Sequence, residues 1–193
     1  AADVQQLIDR VFGTLLGILT VITLLGVAAS PVLVIIFAPG FLGDAAKFAV
    51  TAHMLRITFP YLLFISLVSF AAGVLNSYGR FSIPALAPVL LNGALMGAAV
   101  WLAPKMHQPV VALAWGVAIA GVAQLILLLI AMQRIGMLPR PRWGYRDEGV
   151  RRILRLMLPA IFGSSVVQVN LLFDTLIASF LVTGSVSWLY YSD

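Results

Sequence analysis

The residues best suited to chemistry in this 193-residue chain are polar side chains within one apolar stretch, residues 156–181. On a helical wheel at about 100° per residue, the first group of them falls within about 60°. This group is Ser164, Gln168, Thr175 and Ser179, and Asn170 and Asp174 lie beside it. Val169 and Phe173 are typical of the apolar opposite arc. Since polar residues in a membrane helix usually face the bundle interior or a wet cavity, we expect this face to line a cavity. The alternative is a network of structural hydrogen bonds between helices.

Asp174 is the only acidic residue in a predicted membrane span. Burying an unpaired carboxylate in a membrane costs several kcal/mol, so Asp174 must be hydrated, protonated, paired or bound to an ion. The oxygens of Asn170 and Thr175 are close by on the same helix, and hard cations prefer oxygen ligands. We expect Asp174 to bind a coupling cation, with a structural hydrogen bond or simple cavity polarity as alternatives.

Two further residues are candidates for the same cavity. Asn76 ends a stripe of small and polar residues, which suits either cavity lining or close helix packing. The stripe comprises Ser66, Ser69, Gly73, Asn76 and Ser77. Arg56 lies at the start of a predicted span, where it would either extend to the lipid headgroups or meet an anionic headgroup at the cavity.

Signals for an enzyme are missing from the sequence. It contains no HExxH, no GxSxG and no glycine-rich phosphate loop. It has no cysteine, and His53 and His107 are far apart, so we expect no catalytic residue and no metal centre.

The elements that must position these residues are predicted to be membrane helices. Hydrophobic residues make up 62% of the chain and charged residues 10%, against about 25% charged in soluble domains. A span needs about 20 apolar residues, and five uncharged or nearly uncharged stretches reach that length. We predict helices over 11–37, 57–79, 83–103, 109–133 and 156–181, and a sixth from about 185. The fold class is therefore an all-α polytopic transmembrane bundle.

Helix contacts and bends are also predicted. Small residues four apart allow helices to approach closely in lipid. Such sets are Gly13 with Gly17, Gly93 with Gly97, and Ala112 with Gly116 and Ala120. Pro31, Pro60 and Pro88 are expected to kink or start helices, and Pro159 is expected near a helix end.

Positive charge divides unequally between the two sides of this arrangement. One side holds Arg10, Arg80, Arg134, Arg140, Arg142, Arg146, Arg151, Arg152 and Arg155, and the other holds Lys47, Arg56 and Lys105. The excess predicts that the loop 134–155 is cytoplasmic and the loop 38–56 external. We expect the basic loop to contact membrane lipids and not nucleic acid.

Five sequence segments resemble the bacterial lipid II flippase family MurJ (MviN). They are FAPGF at 37–41, ITFPY at 57–61, RFSIPALAP at 80–88, LPAI at 158–161 and SVSWLYY at 185–191. The resemblance implies part of a multidrug/oligosaccharidyl-lipid/polysaccharide exporter type fold, which has fourteen helices in two lobes. Residues 1–133 would be family helices three to six, 134–155 the inter-lobe loop, and 156–193 helix seven and the beginning of helix eight.

The resemblance also implies a function. The family moves the lipid-linked peptidoglycan precursor lipid II across the bacterial inner membrane by alternating access, in some members with sodium bound near helix seven. We expect this chain to be a fragment without the family's essential arginines, partnered by the remaining helices of a full-length protein. The alternatives are an exporter of another lipid-linked sugar or a small drug, and a membrane scaffold that transports nothing.

Overall fold

The computed structural model describes residues 2–179. Their regular secondary structure is entirely helical. The seven α-helices are α1 (Ala2–Ala28), α2 (Ser30–Phe37), α3 (Ala45–Thr58), α4 (Tyr61–Ser77), α5 (Ala87–Gly97), α6 (Pro109–Arg134) and α7 (Glu148–Ser179). Short 3₁₀ segments cover Pro39–Gly43, Pro84–Leu86 and Ala103–Lys105, and a π-helical turn covers Ala98–Leu102. The predicted all-α class is confirmed. The predicted sixth helix lies outside the described residues.

Two of the predicted helices are divided near a proline. The first span breaks between α1 and α2 at Ala29, two residues before Pro31. A second break separates α3 from α4 at Pro60, because proline has no N–H to continue the backbone ladder. The prediction of a loop over 38–56 is wrong for residues 45–56, which are helical in α3, and the external placement of this segment stays a prediction. Asp44 begins α3 by accepting a 3.0 Å hydrogen bond from the Lys47 N–H, a cap that fixes the start of the helix.

Four helical segments of the described residues are long and apolar enough to cross a membrane. They are Asp3–Ala28, Ala45–Ser77, Pro84–Lys105 and Pro109–Arg134. This confirms the prediction of a polytopic protein. The predicted fifth span lies within α7, which begins at Glu148, so residues 148–155 are helical and not loop. Pro159 is inside this helix and not at its end, which also differs from the prediction.

Helix α6 lies at the centre of the bundle and contacts α3, α4 and α5. Its buried residues are mostly small or aliphatic, and Gly116 lies against Ala98 and the backbone of α5. The predicted close approach at Gly116 is therefore confirmed. Gly93, by contrast, has nothing within 4 Å of where a side chain would begin, so the predicted contact there is not formed among the described residues.

The segment that follows α6 crosses the bundle and lies along the first half of α1. We call residues 138–147 the strap. Its backbone N–H groups at Arg140 and Arg142 donate to the Asp9 carboxylate at 2.9 Å and the Asp9 carbonyl at 3.1 Å. The Gly144 N–H donates to the Thr14 hydroxyl at 3.3 Å. The strap therefore takes its shape from α1, and α7 starts directly after it.

Candidate functional site

The predicted polar face of α7 lies on one unbroken helix. Gln168 and Asp174 are both exposed on it. The backbone of Ser164, Asn170 and Thr175 belongs to α7, and their side chains lie outside what the structure describes. The continuous helix keeps the 3.6-residue period on which the polar face was predicted. That these residues line a cavity stays a prediction.

Apolar side chains of α7 are exposed as well. Phe162 keeps 74% of its surface accessible and Phe173 keeps 62%. Helix α7 contacts α1, α2 and the 3₁₀ segment Pro39–Gly43, so it runs along one edge of the bundle. Large exposed apolar surfaces mark contacts with lipid or with other protein segments. The exposed apolar side chains of α7 therefore indicate contact with lipid or with further protein segments.

Arg56 ties two helices together at the opposite end from the strap. Its Nε donates a 2.9 Å hydrogen bond to the hydroxyl of Ser30, which is fully buried at the break between α1 and α2. Arg56 itself is exposed. Because a guanidinium has five N–H donors, this contact leaves donors that face solvent. The arrangement combines a structural bond with the capacity to meet an anionic group.

Asn76 lies far from Arg56. It is exposed at the end of α4, about 25 Å along that 17-residue helix. The serines of its stripe bond within their own helix: Ser66, Ser69 and Ser77 donate to carbonyls four residues earlier at 2.7, 2.8 and 2.9 Å. The structure therefore does not bring Asn76 and Arg56 into one site, and the serine hydroxyls are already satisfied.

The arginines predicted on one side do gather at one end of the bundle. Helices α4 and α6 both turn at glycines with positive φ, Gly79 at 70° and Gly136 at 73°. Arg80 and Arg134, next to these turns, line one cavity of about 160 Å³. Four more arginines line an open groove of about 790 Å³ at the start of α7. They are Arg146, Arg151, Arg152 and Arg155. One end of the molecule is thus strongly positive.

Cation ligands are sparse in the described part of the chain. No three His, Cys, Asp or Glu residues converge among residues 2–179. A cation at Asp174 would therefore need ligands of other types or from other segments.

The strap junction was missed by the sequence analysis, which started the first helix at residue 11. Asp9 is 5% exposed and accepts from Gln5 at 2.9 Å as well as from the strap. Arg10 forms an ion pair with Asp147. A signal was available: Gln5 and Asp9, and Arg10 and Thr14, are spaced four apart beside Gly13. Such a polar stripe at a helix start predicts a partner segment.

Asp147 is the one described group whose pKa is clearly displaced. Partial burial raises the pKa of its carboxyl, but stronger opposing contacts leave that pKa below the usual value. The opposing contacts are the N–H groups of Val150 and Gly149 and the Arg10 guanidinium. Asp147 is therefore charged at neutral pH and serves as both ion-pair partner and helix cap.

Comparison with known proteins gives a consistent result. A family model described as lipid II flippase MurJ matches residues 2–193. A probable lipid II flippase MurJ of Haemophilus influenzae is 45% identical over 98% of this chain, and one of Vibrio cholerae is 44% identical over 98%. The lipid II flippase MurJ of Burkholderia cenocepacia is 43% identical over 98%. The chain covers 37–38% of the length of these three relatives.

Proposed function

Because the chain belongs to the lipid II flippase MurJ family, we propose that it forms part of a transporter that moves lipid II from the inner to the outer leaflet. It is a segment of a multi-pass protein of the bacterial inner membrane. The observation that carries the proposal is the family match, which extends from residue 2 to residue 193. In this proposal the transporter works by alternating access and does no covalent chemistry on the lipid.

In this proposal α1–α6 are the later helices of one lobe, and α7 is the first helix of the other. The exposed surfaces of α7 are then covered by the remaining helices of the complete protein and by membrane lipid. Its polar face, with Ser164, Gln168, Asn170 and Thr175, lines the hydrated route for the sugar and pyrophosphate headgroup. The solvent-facing donors of Arg56 and the amide of Asn76 act at opposite ends of that route.

Asp174 has the role of binding a coupling cation such as sodium. Its exposure on α7 leaves room for ligands from segments beyond those described. The test is Asp174→Asn in the complete protein, because asparagine keeps the shape and removes the charge. We expect the dependence of flipping on an ion gradient to fall by about fivefold or more, the range of a typical coupling free energy. Gln133→Glu, which adds one negative charge at an exposed helix end, is the control. Unchanged gradient dependence in Asp174→Asn would refute the role.

The proposed function is tested by lipid II flipping in reconstituted vesicles. The complete protein that contains this sequence should move lipid II to the outer leaflet, and residues 1–193 alone should not. A lipid-linked sugar of different headgroup is the control substrate. Transport of that control with no transport of lipid II would replace the proposed cargo, and transport of neither would favour a scaffold.

A further inference from the structure

Two arginines share a small cavity where the helices α4 and α6 end. Arg80 lies just after α4, and Arg134 is the last residue of α6. Both helices close with the same backbone pattern: the Arg80 N–H donates to the Leu75 carbonyl, and the Met137 N–H donates to the Met132 carbonyl, each at 2.9 Å. This closure, with a glycine of positive φ just before the donor, ends a helix at a defined residue. The backbone therefore places both arginines at the same end of two packed helices.

The positive charge of this cavity is not neutralised within the described part of the chain. The side chains of Arg80 and Arg134 form no hydrogen bond and no ion pair among residues 2–179, and no described Asp or Glu lines the cavity. Either arginine alone could be explained by the charge bias of this end or by the negative end of a helix dipole. Two guanidinium groups that face one small space repel each other, and an anion between them replaces that repulsion by attraction. The pair therefore indicates an anionic ligand.

The size and lining of the cavity limit what this anion can be. Its volume of about 160 Å³ is below the roughly 300–1,000 Å³ of sites for drug-sized ligands, so it admits a small group such as one phosphate. The other lining residues are apolar, and they are Leu75, Ile83, Ala131 and Ile135. A phosphate ion in water gains nothing from an apolar wall, whereas the glycerol and first acyl carbons of a phospholipid can lie against it. The lining favours a lipid phosphate over a free one.

We propose that Arg80 and Arg134 together bind the phosphate of one anionic phospholipid, which bridges the ends of α4 and α6. Arginine suits this role because its planar guanidinium can donate two parallel hydrogen bonds to a phosphate. Both side chains are exposed, so a headgroup can reach them from the surrounding membrane. The cavity lies where two membrane-crossing segments end, which is the depth of lipid headgroups. The inference goes beyond the proposed function, because the bound lipid is a resident one and not the transported cargo.

A titration with a fluorescent phosphatidylglycerol tests the site in the complete protein, purified in a non-ionic detergent. Arg80→Gln and Arg134→Gln should each raise the Kd for this lipid by about tenfold, since each removes a charge-assisted hydrogen bond. Arg142→Gln is the matched control, because it removes the same charge from an exposed arginine outside this cavity. It should change the Kd by less than about twofold. Equal effects in the three variants would mean general attraction to a positive surface and would overturn the site.

The double variant tests whether one phosphate contacts both arginines. If it does, the second substitution should raise the Kd by clearly less than it does in the wild type, because the two contacts depend on a single ligand. Arg80→Gln with Arg134→Gln should then weaken binding by less than the product of the two single effects. A Kd equal to that product would show that the arginines act independently and would overturn the shared site.

Two further measurements separate the lipid from other occupants. Glycerol 3-phosphate should compete with the labelled lipid at least about a hundredfold more weakly than unlabelled phosphatidylglycerol, because it has no acyl chains. Equal competition would identify a soluble phosphate and overturn the lipid. In lipid-free protein, Arg80→Gln should leave the unfolding temperature unchanged or raise it, because it removes a repulsion. A lowered unfolding temperature would indicate that a carboxylate of another segment fills the cavity, which would also overturn the proposal.

None of these measurements requires transport. If the complete protein does not move lipid II but binds phosphatidylglycerol as expected, the proposed function fails and the lipid site stands. If it moves lipid II and the arginine variants bind phosphatidylglycerol as the wild type does, the lipid site alone fails.

Discussion

Helices α6 and α7 are both long, with 26 and 32 residues, and they have opposite surroundings. Ten residues of α6 are buried against three neighbouring helices, and its one buried amide is satisfied: the Gln124 Nε2 donates to the Ala87 carbonyl at 2.6 Å. The described side chains of α7 past its first two turns are mostly exposed, including Gln168 and Asp174. In lipid there is little hydrophobic force between helices, so packing and polar contacts decide which helices associate. The comparison indicates that α6 is packed within this chain, whereas most of the described surface of α7 is left for lipid or further protein segments to cover.

The largest loss of stability is expected when a buried side chain in the core around α6 is shortened. Leu128 is fully buried there, so Leu128→Ala should lower the free energy of unfolding by about 2–5 kcal/mol through the cavity it leaves. Ile130, two residues away, is 45% exposed, and Ile130→Ala should cost far less. Thermal unfolding in detergent measures both. Equal losses would show that the two faces of α6 are equally packed and would break the comparison.

A somewhat smaller effect is expected at the contact between α6 and α5. A Cβ at Gly116 would lie 2.9 Å from the Ala98 Cβ, so Gly116→Val should push the helices apart and cost about 1–3 kcal/mol. Gly93→Val adds the same atoms where nothing lies within 4 Å. The difference between the two unfolding midpoints is the measurement. A Gly93→Val variant as unstable as Gly116→Val would reveal a helix seated at Gly93 in the complete protein.

A third effect concerns water beside α7. In the complete protein, Gln168→Cys should react with a charged maleimide about tenfold faster than Val169→Cys, because a thiol that faces lipid or apolar protein meets little water and little of the charged reagent. The substitutions are adjacent and lie on different faces of the helix. Equal labelling rates at the two positions would mean that α7 has no separate wet face, which would remove its cavity role.

The last prediction concerns pH, to which the docking of the strap on α1 should not respond. The pKa of Asp147 is lowered, so the stability from its ion pair is complete above the unfolded pKa of about 3.9 and is lost only as pH falls through the lower folded value. Its charged partner across the junction is Arg10. The resistance of the strap, residues 138–147, to cleavage by trypsin should therefore be constant from about pH 5 to pH 8. Loss of protection within that range would indicate that another group controls the docking.

Periodicity and charge were enough to predict the helical class, four of the membrane spans and the gathering of arginines at one end. These features depend on local sequence, since apolar length and the placement of Lys and Arg act within each segment. The α3 helix was missed because Asp44, Lys47 and Arg56 suggested a loop. Asp44 instead caps this helix, because its carboxylate accepts the Lys47 N–H.

The strap could not be predicted, because it depends on contacts between segments more than a hundred residues apart. Gly13 and Gly17 were correctly identified as a site of close approach, but the partner is irregular backbone and not another helix. The predicted cavity residues remain distributed: Arg56 and Asn76 lie at opposite ends of the bundle, and the α7 face needs segments beyond the described residues to enclose it. A single helix can display a polar face, but two or more elements are required to make a cavity.

The ion pair between Arg10 and Asp147 also bears on the order of events during synthesis. Its partners are 137 residues apart, so at about 5–20 residues per second Arg10 waits roughly 7–30 seconds for Asp147 to leave the ribosome. By then α1–α6 have all been made, so this contact joins α1 to a segment that is synthesised after the helices between them. Until that moment Asp9 lacks the N–H groups that satisfy it in the folded protein. The polar groups at the start of α1 therefore reach their final contacts only after α6 has been synthesised.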